Sequence, residues 1–301
     1  MKKKKQNHNN SKNIYKFFWD KYEKLMPVPT RFRKIIIKDY SDFKKDILDS
    51  KPKIVEKIII SLLNGDFYIL KKGFSKKFIN DLKINTFNYF KDKPSEFYKM
   101  LEGTPDFHRK IDLETGKKYS FENCKHSFYF YPWNKDPLNI FETIYKRWRV
   151  MKKLMGLNER EYENNTPIDG VVDRIQIVKY PSKIGYLAPH QDPYKNQRLI
   201  LSGYMDKQGK DFDGIGFYLI DKNNKVVEVE HLIDTGDIGI GYSSIYHGVA
   251  PVNIDQLPNW NDINDGRWFL SMYSNASDEV KSRATSSPTK EKFDDIRLYP
   301  R

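Results

Sequence analysis

The stretch from Asp173 to Asn275 predicts a mainly β protein with flanking helices. Two observations carry this. The first is a series of eight short runs rich in β-branched and aromatic residues: 173–180, 185–192, 199–206, 214–221, 225–230, 237–242, 246–252 and 267–275. The breaks between them hold turn-forming residues, such as Pro181-Ser182-Lys183, the loop from Lys207 to Asp213, and Asn223-Asn224. Runs of this length punctuated by Gly, Pro, Asn and Asp read as strands and turns. The second is that helical periodicity is confined to the chain before residue 173.

Taken in order, residues 1–13 (MKKKKQNHNNSKN) are basic and of low complexity, and read as a disordered tail. A helix is expected over about 53–63, leading into a strand at 66–72 (DFYILKK). Ser75 can cap a second helix, whose apolar positions are Phe78, Ile79, Leu82, Tyr89 and Phe90 and which stops before Pro94. A third helix over about 138–155 places Ile140, Ile144, Trp148, Met151 and Met155 on one stripe. Residues 103–116 read as a polar, turn-rich loop and 125–134 as an aromatic strand. The segment 277–301 reads as a loose polar tail. With no repeat or linker in view, the expected organisation is a single domain over 14–276. It comprises a helical part (14–172) and a β core (173–276).

Among six histidines, two fall in an arrangement with chemical content: His190-Gln191-Asp192, then His247, with Arg267 twenty residues on. In an extended strand alternate residues share a face, so His190 and Asp192 can reach one ion together. His247 would come from a distant strand. Two imidazoles and one carboxylate on one face suit non-heme Fe(II) and leave positions for a co-substrate and O2. Arg267 supplies a planar fork suited to a dicarboxylic acid. A bare His-x-Asp arises by chance about 0.4 times in such a chain, so the strand context decides.

The order of these elements resembles the 2-oxoglutarate/Fe(II)-dependent dioxygenase superfamily, in particular its prolyl-hydroxylase-like members. His-x-Asp ends the second strand, the last His opens the seventh and Arg opens the eighth. The resemblance implies a double-stranded β-helix (jelly roll, cupin-like) of about eight strands with N-terminal helices packed on it. It covers about the last 130 residues well and residues 54–93 loosely. Asp234-Thr235-Gly236-Asp237 resembles the turn before the sixth strand. The implied metal ligands are His190, Asp192 and His247, and the implied co-substrate residues are Arg267, Tyr204, Tyr180 and Ser271. Many members carry Arg-x-Ser, whereas here Arg267-Trp268-Phe269 delays the serine to Ser271. The carboxylate that halogenating relatives lack is present as Asp192, so halogenation is not expected. The implied reaction consumes 2-oxoglutarate and O2, releases succinate and CO2, and hydroxylates a substrate C–H bond.

Composition bounds the partners. The net charge is +13, but residues 1–60 hold 17 Lys/Arg against 7 Asp/Glu and so carry +10 of it. The excess therefore lies outside the β core, where a nucleic-acid reader would need it. A small-molecule substrate is expected, with neither nucleic acid nor membrane as partner. Apolar runs are interrupted, as Glu56 and Lys57 interrupt 54–63, so no membrane span is expected. No apolar stretch follows the basic start to make a secretory signal. The lone Cys124 excludes an intramolecular disulfide and fits a reducing compartment, so a cytoplasmic location is expected. Candidate substrate contacts are His108, Arg109, Tyr129, Tyr131, Trp133 and Arg198, expected around the mouth of the site. The alternatives are the same chemistry on a protein, glycan or nucleic-acid group, or a β-helix binding protein without activity.

Overall fold

The computed structural model describes residues 13–289, 291, 293 and 295–300. Most of the expected N-terminal tail, residues 1–12, lies outside the described residues.

Among the described residues thirteen strands form two facing layers. They are β1 (Ile35–Asp39), β2 (Phe67–Lys71), β3 (Phe107–Ile111), β4 (Asn123–Phe130), β5 (Val171–Tyr180), β6 (Tyr186–Gln191), β7 (Leu199–Tyr204), β8 (Phe217–Ile220), β9 (Val226–Glu228), β10 (Ile238–Tyr242), β11 (His247–Val249), β12 (Arg267–Ala276) and β13 (Ser287–Pro288). One layer runs β1-β2-β10-β7-β12-β5-β4, with β3 on the edge of β4. The other runs β6-β11-β8-β9, with β13 added to β6. Strand β4 belongs to both, since residues 126–130 pair with β5 while Asn123 and Cys124 pair with β6. All pairings are antiparallel except β1 with β2. Four-strand sets β5-β12-β7-β10 and β6-β11-β8-β9, with sequential strands alternating between layers except at the β8–β9 hairpin, make a double-stranded β-helix.

Six α-helices among the described residues accompany the sheets: α1 (Ile14–Tyr22), α2 (Tyr40–Asp49), α3 (Pro52–Leu63), α4 (Lys76–Phe90), α5 (Leu113–Gly116) and α6 (Phe141–Leu154). Helix α3 begins with Pro52 at its first turn, where a missing N–H costs nothing. Helix α4 is capped as its sequence implies, the Ser75 hydroxyl accepting from the Phe78 N–H at 3.2 Å. The α6 stripe of Ile144, Trp148 and Met151 is fully buried and shares one core with Ile59, Leu82, Leu201, Ile240 and Leu270. A buried ion pair, Lys152 with Asp173, ties α6 to β5, and Ser274 donates to the same carboxylate at 2.8 Å. No helix among the described residues is long and apolar enough to cross a membrane.

Three expectations are corrected. The strands number thirteen rather than eight: the expected eight are present, together with five outside that series, of which β2 and β4 were expected before the barrel. The segment 103–116 is not simply a loop but holds β3 and α5. In β3 the ends Phe107 and Ile111 are buried, as is His108, while Arg109 and Lys110 are partly exposed. The described residues after β12 do not form a loose tail. The chain returns across the mouth of the barrel as β13, and Phe293 and Leu298 further on are buried.

A candidate metal centre between two chambers

Strands β6 and β11 place His190 and His247 directly opposite one another. Their register shifts by one residue beyond this pair, at the position of Pro189, which has no N–H to give the ladder. The rings lie 4.4 Å apart. In each histidine Nδ1 donates to the carbonyl two residues earlier, Ala188 for His190 and Ile245 for His247, both at 2.9 Å. That contact fixes the tautomer, so each Nε2 presents a lone pair towards the same point. Asp192 faces both: Oδ1 is 3.7 Å from His190 Nε2 and Oδ2 is 3.6 Å from His247 Nε2. All three ligating atoms lie within 4.8 Å of one another, and all three residues are buried.

The surroundings favour a neutral imidazole at His190. Burial first, and His247 second, push His190 down to about 3, so its ring carries no proton on Nε2 at neutral pH. Phe121 stacks on His190 at 4.5 Å and holds the plane of its ring. Asp192 Oδ1 accepts from the Ser286 hydroxyl at 2.7 Å, whereas the buried Oδ2 has no hydrogen-bond partner among the described residues. A buried carboxylate oxygen left without a donor is costly, and a cation at the shared point would satisfy it.

Two chambers adjoin the triad. The inner one, of about 40 Å³, is lined by His190 and His247 with Tyr180, Phe269, Ser271 and Lys125. The outer one, of about 170 Å³, is lined by His190 and Asp192 with Tyr129, Arg174, Tyr273 and, again, Lys125. Both are far smaller than the surface groove of about 830 Å³ near Asn253 and Tyr299, which holds none of the triad. Lys125 is enclosed by protein except where it borders the chambers. That burial, reinforced by Arg174, pushes its ammonium down to about 8.

Arg267 is 1% exposed and sits opposite Tyr180 in the β12–β5 register. It does not line either chamber. Phe269 and Tyr180, which do, also lie against its guanidinium at 5.3 and 5.9 Å, and so stand between it and the metal point. Its Nη2 is 2.6 Å from Glu230 Oε1, an equally buried carboxylate that also accepts from the Phe217 N–H. The ion pair is close but off the hydrogen-bond direction, so Arg267 Nη1 and Nη2 remain without acceptors, as does the Tyr204 hydroxyl nearby. Gly239 makes room for that hydroxyl, since a Cβ there would come within 2.9 Å of Tyr204 Oη.

Of the six expected substrate contacts, only Tyr129 lines a chamber. His108 pairs with His126 at 2.6 Å and with the Lys93 carbonyl at 2.9 Å. Arg109 lies over the rings of Phe97 and Tyr119. Tyr131 and Trp133 stack on each other, 4.4 Å apart, in a small separate core with Met100 and Val172. Arg198 is bound to Glu23 at 2.7 Å and caps the Met155 carbonyl. Lys125, Arg174, Tyr273 and Ser286 were not singled out from the sequence. For Arg174 a signal existed, because counting back by twos from Tyr180 puts Gln176 and Arg174 on one strand face.

No family model matches the chain, and no curated protein matches it. Solved structures similar to it include a Pseudomonas putida prolyl-4-hydroxylase, at 10% identity and a TM-score of 0.46, covering 73% of this chain and 98% of that one. A putative 2OG-Fe(II) oxygenase family protein from Caulobacter crescentus matches at 11% identity and a TM-score of 0.48, covering 81% of this chain and 87% of that one. A full-length Neurospora crassa protein, solved in complex with alpha-KG and thymine, matches at 13% identity and a TM-score of 0.47, covering 81% and 85% respectively.

Proposed function

We propose that this protein is an Fe(II)- and 2-oxoglutarate-dependent oxygenase that hydroxylates an unactivated C–H bond of a small polar or anionic metabolite. The observation that carries this reading is the convergence of His190, His247 and Asp192 on one point inside a double-stranded β-helix. The donor set fits the metal: two imidazole lone pairs, held in place through Nδ1, and a buried carboxylate oxygen without another partner. Three protein ligands on one side leave the opposite side open to the chambers, as a site that binds co-substrate and O2 requires. When bound, Fe(II) supplies O2 activation coupled to conversion of 2-oxoglutarate into succinate and CO2.

The chain's own residues divide the remaining work. Asp192 offsets part of the metal charge, and Ser286 orients it. Tyr180 and Ser271 offer polar groups to the inner chamber. Arg267 and Tyr204, whose buried donors lack acceptors, are assigned to the far carboxylate of 2-oxoglutarate. Reaching them requires the Phe269 ring to move aside, since it lies over the guanidinium. The aromatic and aliphatic lining, with Phe121, Leu187 and Phe217, keeps bulk water from the reacting centre.

The test is anaerobic titration of Fe(II) and then 2-oxoglutarate, followed by oxygenation and measurement of succinate. Metal-dependent 2-oxoglutarate binding and succinate release support the assignment. Metal binding that survives simultaneous replacement of His190 and His247 by Ala, or absence of 2-oxoglutarate binding, overturns it.

A further inference from the structure

The outer chamber holds two cations that have no ion-pair partner within 4.0 Å among the described residues, although Asp192 shares the chamber with them. Lys125 on β4 makes no hydrogen bond or ion pair within the described residues, and Arg174 on β5 has no carboxylate within 4.0 Å among them. The Arg174 guanidinium lies over the rings of both Tyr129 and Tyr273, each 5.3 Å from its carbon. Its Nη2 donates to Gln176 Oε1 at 3.1 Å, and its buried Nε has no acceptor. Such a group is oriented in advance, by the two rings and by one hydrogen bond, with donors to spare. Lining one chamber with a guanidinium and an ammonium that have no paired counter-ion is unfavourable for folding, so the arrangement makes sense if an anion completes it.

We propose that Lys125 and Arg174 bind an anionic group of the primary substrate, of carboxylate, sulfate or phosphate type, and hold the substrate against the metal point. This rests on the oxygenase reading for the word substrate, although the anion site itself does not. The position is right for that role, because Arg174 lines the outer chamber together with His190 and Asp192 and does not line the inner one. Charge bookkeeping agrees. Fe(II), Asp192 and dianionic 2-oxoglutarate together carry one net negative charge, and Arg267 is already balanced by Glu230. Lys125 and Arg174 therefore leave one positive charge over, which a singly charged group on the substrate neutralises. The shape of the fork matters as well, since a planar guanidinium matches carboxylate or phosphate oxygens in pairs. The rival source of the same chemistry is the far carboxylate of 2-oxoglutarate reaching Lys125, which borders both chambers.

The experiment is calorimetric titration of the anaerobic Fe(II)·2-oxoglutarate complex with sodium sulfate and with sodium acetate. It is run for the parent protein and for Arg174→Gln, Lys125→Gln and Arg174→Lys. The expected result is saturable anion binding that weakens at least tenfold in both Gln variants and recovers in part in Arg174→Lys. The 2-oxoglutarate affinity stays within about twofold throughout. Anion binding that is absent from the parent, or unchanged in a correctly folded Arg174→Gln, overturns the proposal. So does a Lys125→Gln variant that loses 2-oxoglutarate affinity and keeps sulfate affinity, because Lys125 then serves the co-substrate. Thermal melts report whether each variant folds, and Arg174→Lys supplies the comparison if Arg174→Gln does not. The titration is repeated without metal and co-substrate. Sulfate binding that needs Arg174 in a protein unable to bind Fe(II) and 2-oxoglutarate would keep the anion site and remove the oxygenase assignment.

Discussion

The barrel carries positive charge on both sides of its metal point, but in different states. At the closed end Arg267 has a resident carboxylate, Glu230, and both are 1% exposed. At the open end Lys125 and Arg174 have none within 4.0 Å among the described residues, and they border space. A buried cation inside a packed layer must be paired where it stands, whereas a cation beside a chamber can wait for a ligand. The closed end is thus partly satisfied by the fold itself, and the open end is satisfied only by what binds there. The triad lies between the two ends, so each substitution below separates metal, co-substrate and substrate functions along this axis.

The largest effect is expected at the centre. Asp192→Ala removes the carboxylate that faces both imidazoles and should abolish succinate formation, with weak metal binding by the two histidines persisting. Succinate measurement and metal titration together check this. Turnover near the parent level would show that the ion is held elsewhere, and the two-ended description would lose its centre.

Next comes the closed end. Arg267→Ala leaves Glu230 buried without its counter-charge, which costs about 3–5 kcal/mol at neutral pH. Burial already pushes the Glu230 carboxyl above its ordinary value, with Arg267 opposing the shift. An acid raised in the folded state contributes stability that is present below about pH 4.5 and is lost as pH rises through the folded value. The Arg267→Ala variant should therefore be less destabilised in acid than at pH 7, and denaturant melts across that range measure the difference. Its 2-oxoglutarate requirement should rise at least tenfold. Glu230→Gln should lower the same requirement by roughly threefold, because it frees the fork without removing it. If Glu230→Gln instead weakened 2-oxoglutarate binding as much as Arg267→Ala, the pair would be a structural brace only.

How far these features were legible in the sequence follows the same division. His190, Asp192 and His247 could be found because strand alternation and strand order turn sequence spacing into convergence. The buried stripe of α6 and the Ser75 cap were legible for the same local reasons. Lys125 was not, since it becomes a chamber residue only through the pairing of β4 with both β5 and β6. Glu230 lies just past a strand, where an acidic residue reads as solvated, and its burial depends on Gly216, where a Cβ would come within 3.0 Å of its carboxylate. His108 and Arg198 have partners far along the chain, Lys93 and His126 for the first and Glu23 for the second, which no local pattern displays. Basic residues near a site in sequence were thus a poor guide, and basic residues without partners in space are the better one.

At the open end the expected effect is moderate and depends on pH. The Lys125 ammonium, held down to about 8 by burial and by Arg174, loses its charge as pH rises through that value. Sulfate does not titrate there, so its affinity for the holo-protein should fall by up to about tenfold between pH 7 and pH 9. Occupancy by the anion raises the ammonium again, which makes the fall shallower at high sulfate. In Lys125→Gln the affinity should be weaker and nearly flat over the same range. A parent protein with a flat profile would mean that Arg174 acts alone.

The smallest effect concerns the strap that crosses the mouth. Ser286 donates to Asp192 Oδ1 at 2.7 Å, from the segment that pairs β13 with β6 opposite His190. Hydrogen bonds from residues outside the ligand set commonly change metal affinity by about 10–100-fold. Ser286 is only half-buried, however, and in Ser286→Ala a water molecule can take the hydroxyl's place at the carboxylate. The loss should therefore be roughly threefold in Fe(II) affinity, below that range, because only the difference between hydroxyl and water is removed. Sulfate affinity should not change, since Ser286 faces the metal carboxylate rather than the guanidinium. Deleting the strap from residue 282 onward should cost more than the point variant, because β13 and the buried Phe293 and Leu298 leave with it. Equal effects of the two changes would show that the strap contributes its hydroxyl alone, and a drop in sulfate affinity in Ser286→Ala would show that the metal and anion sites are not separate.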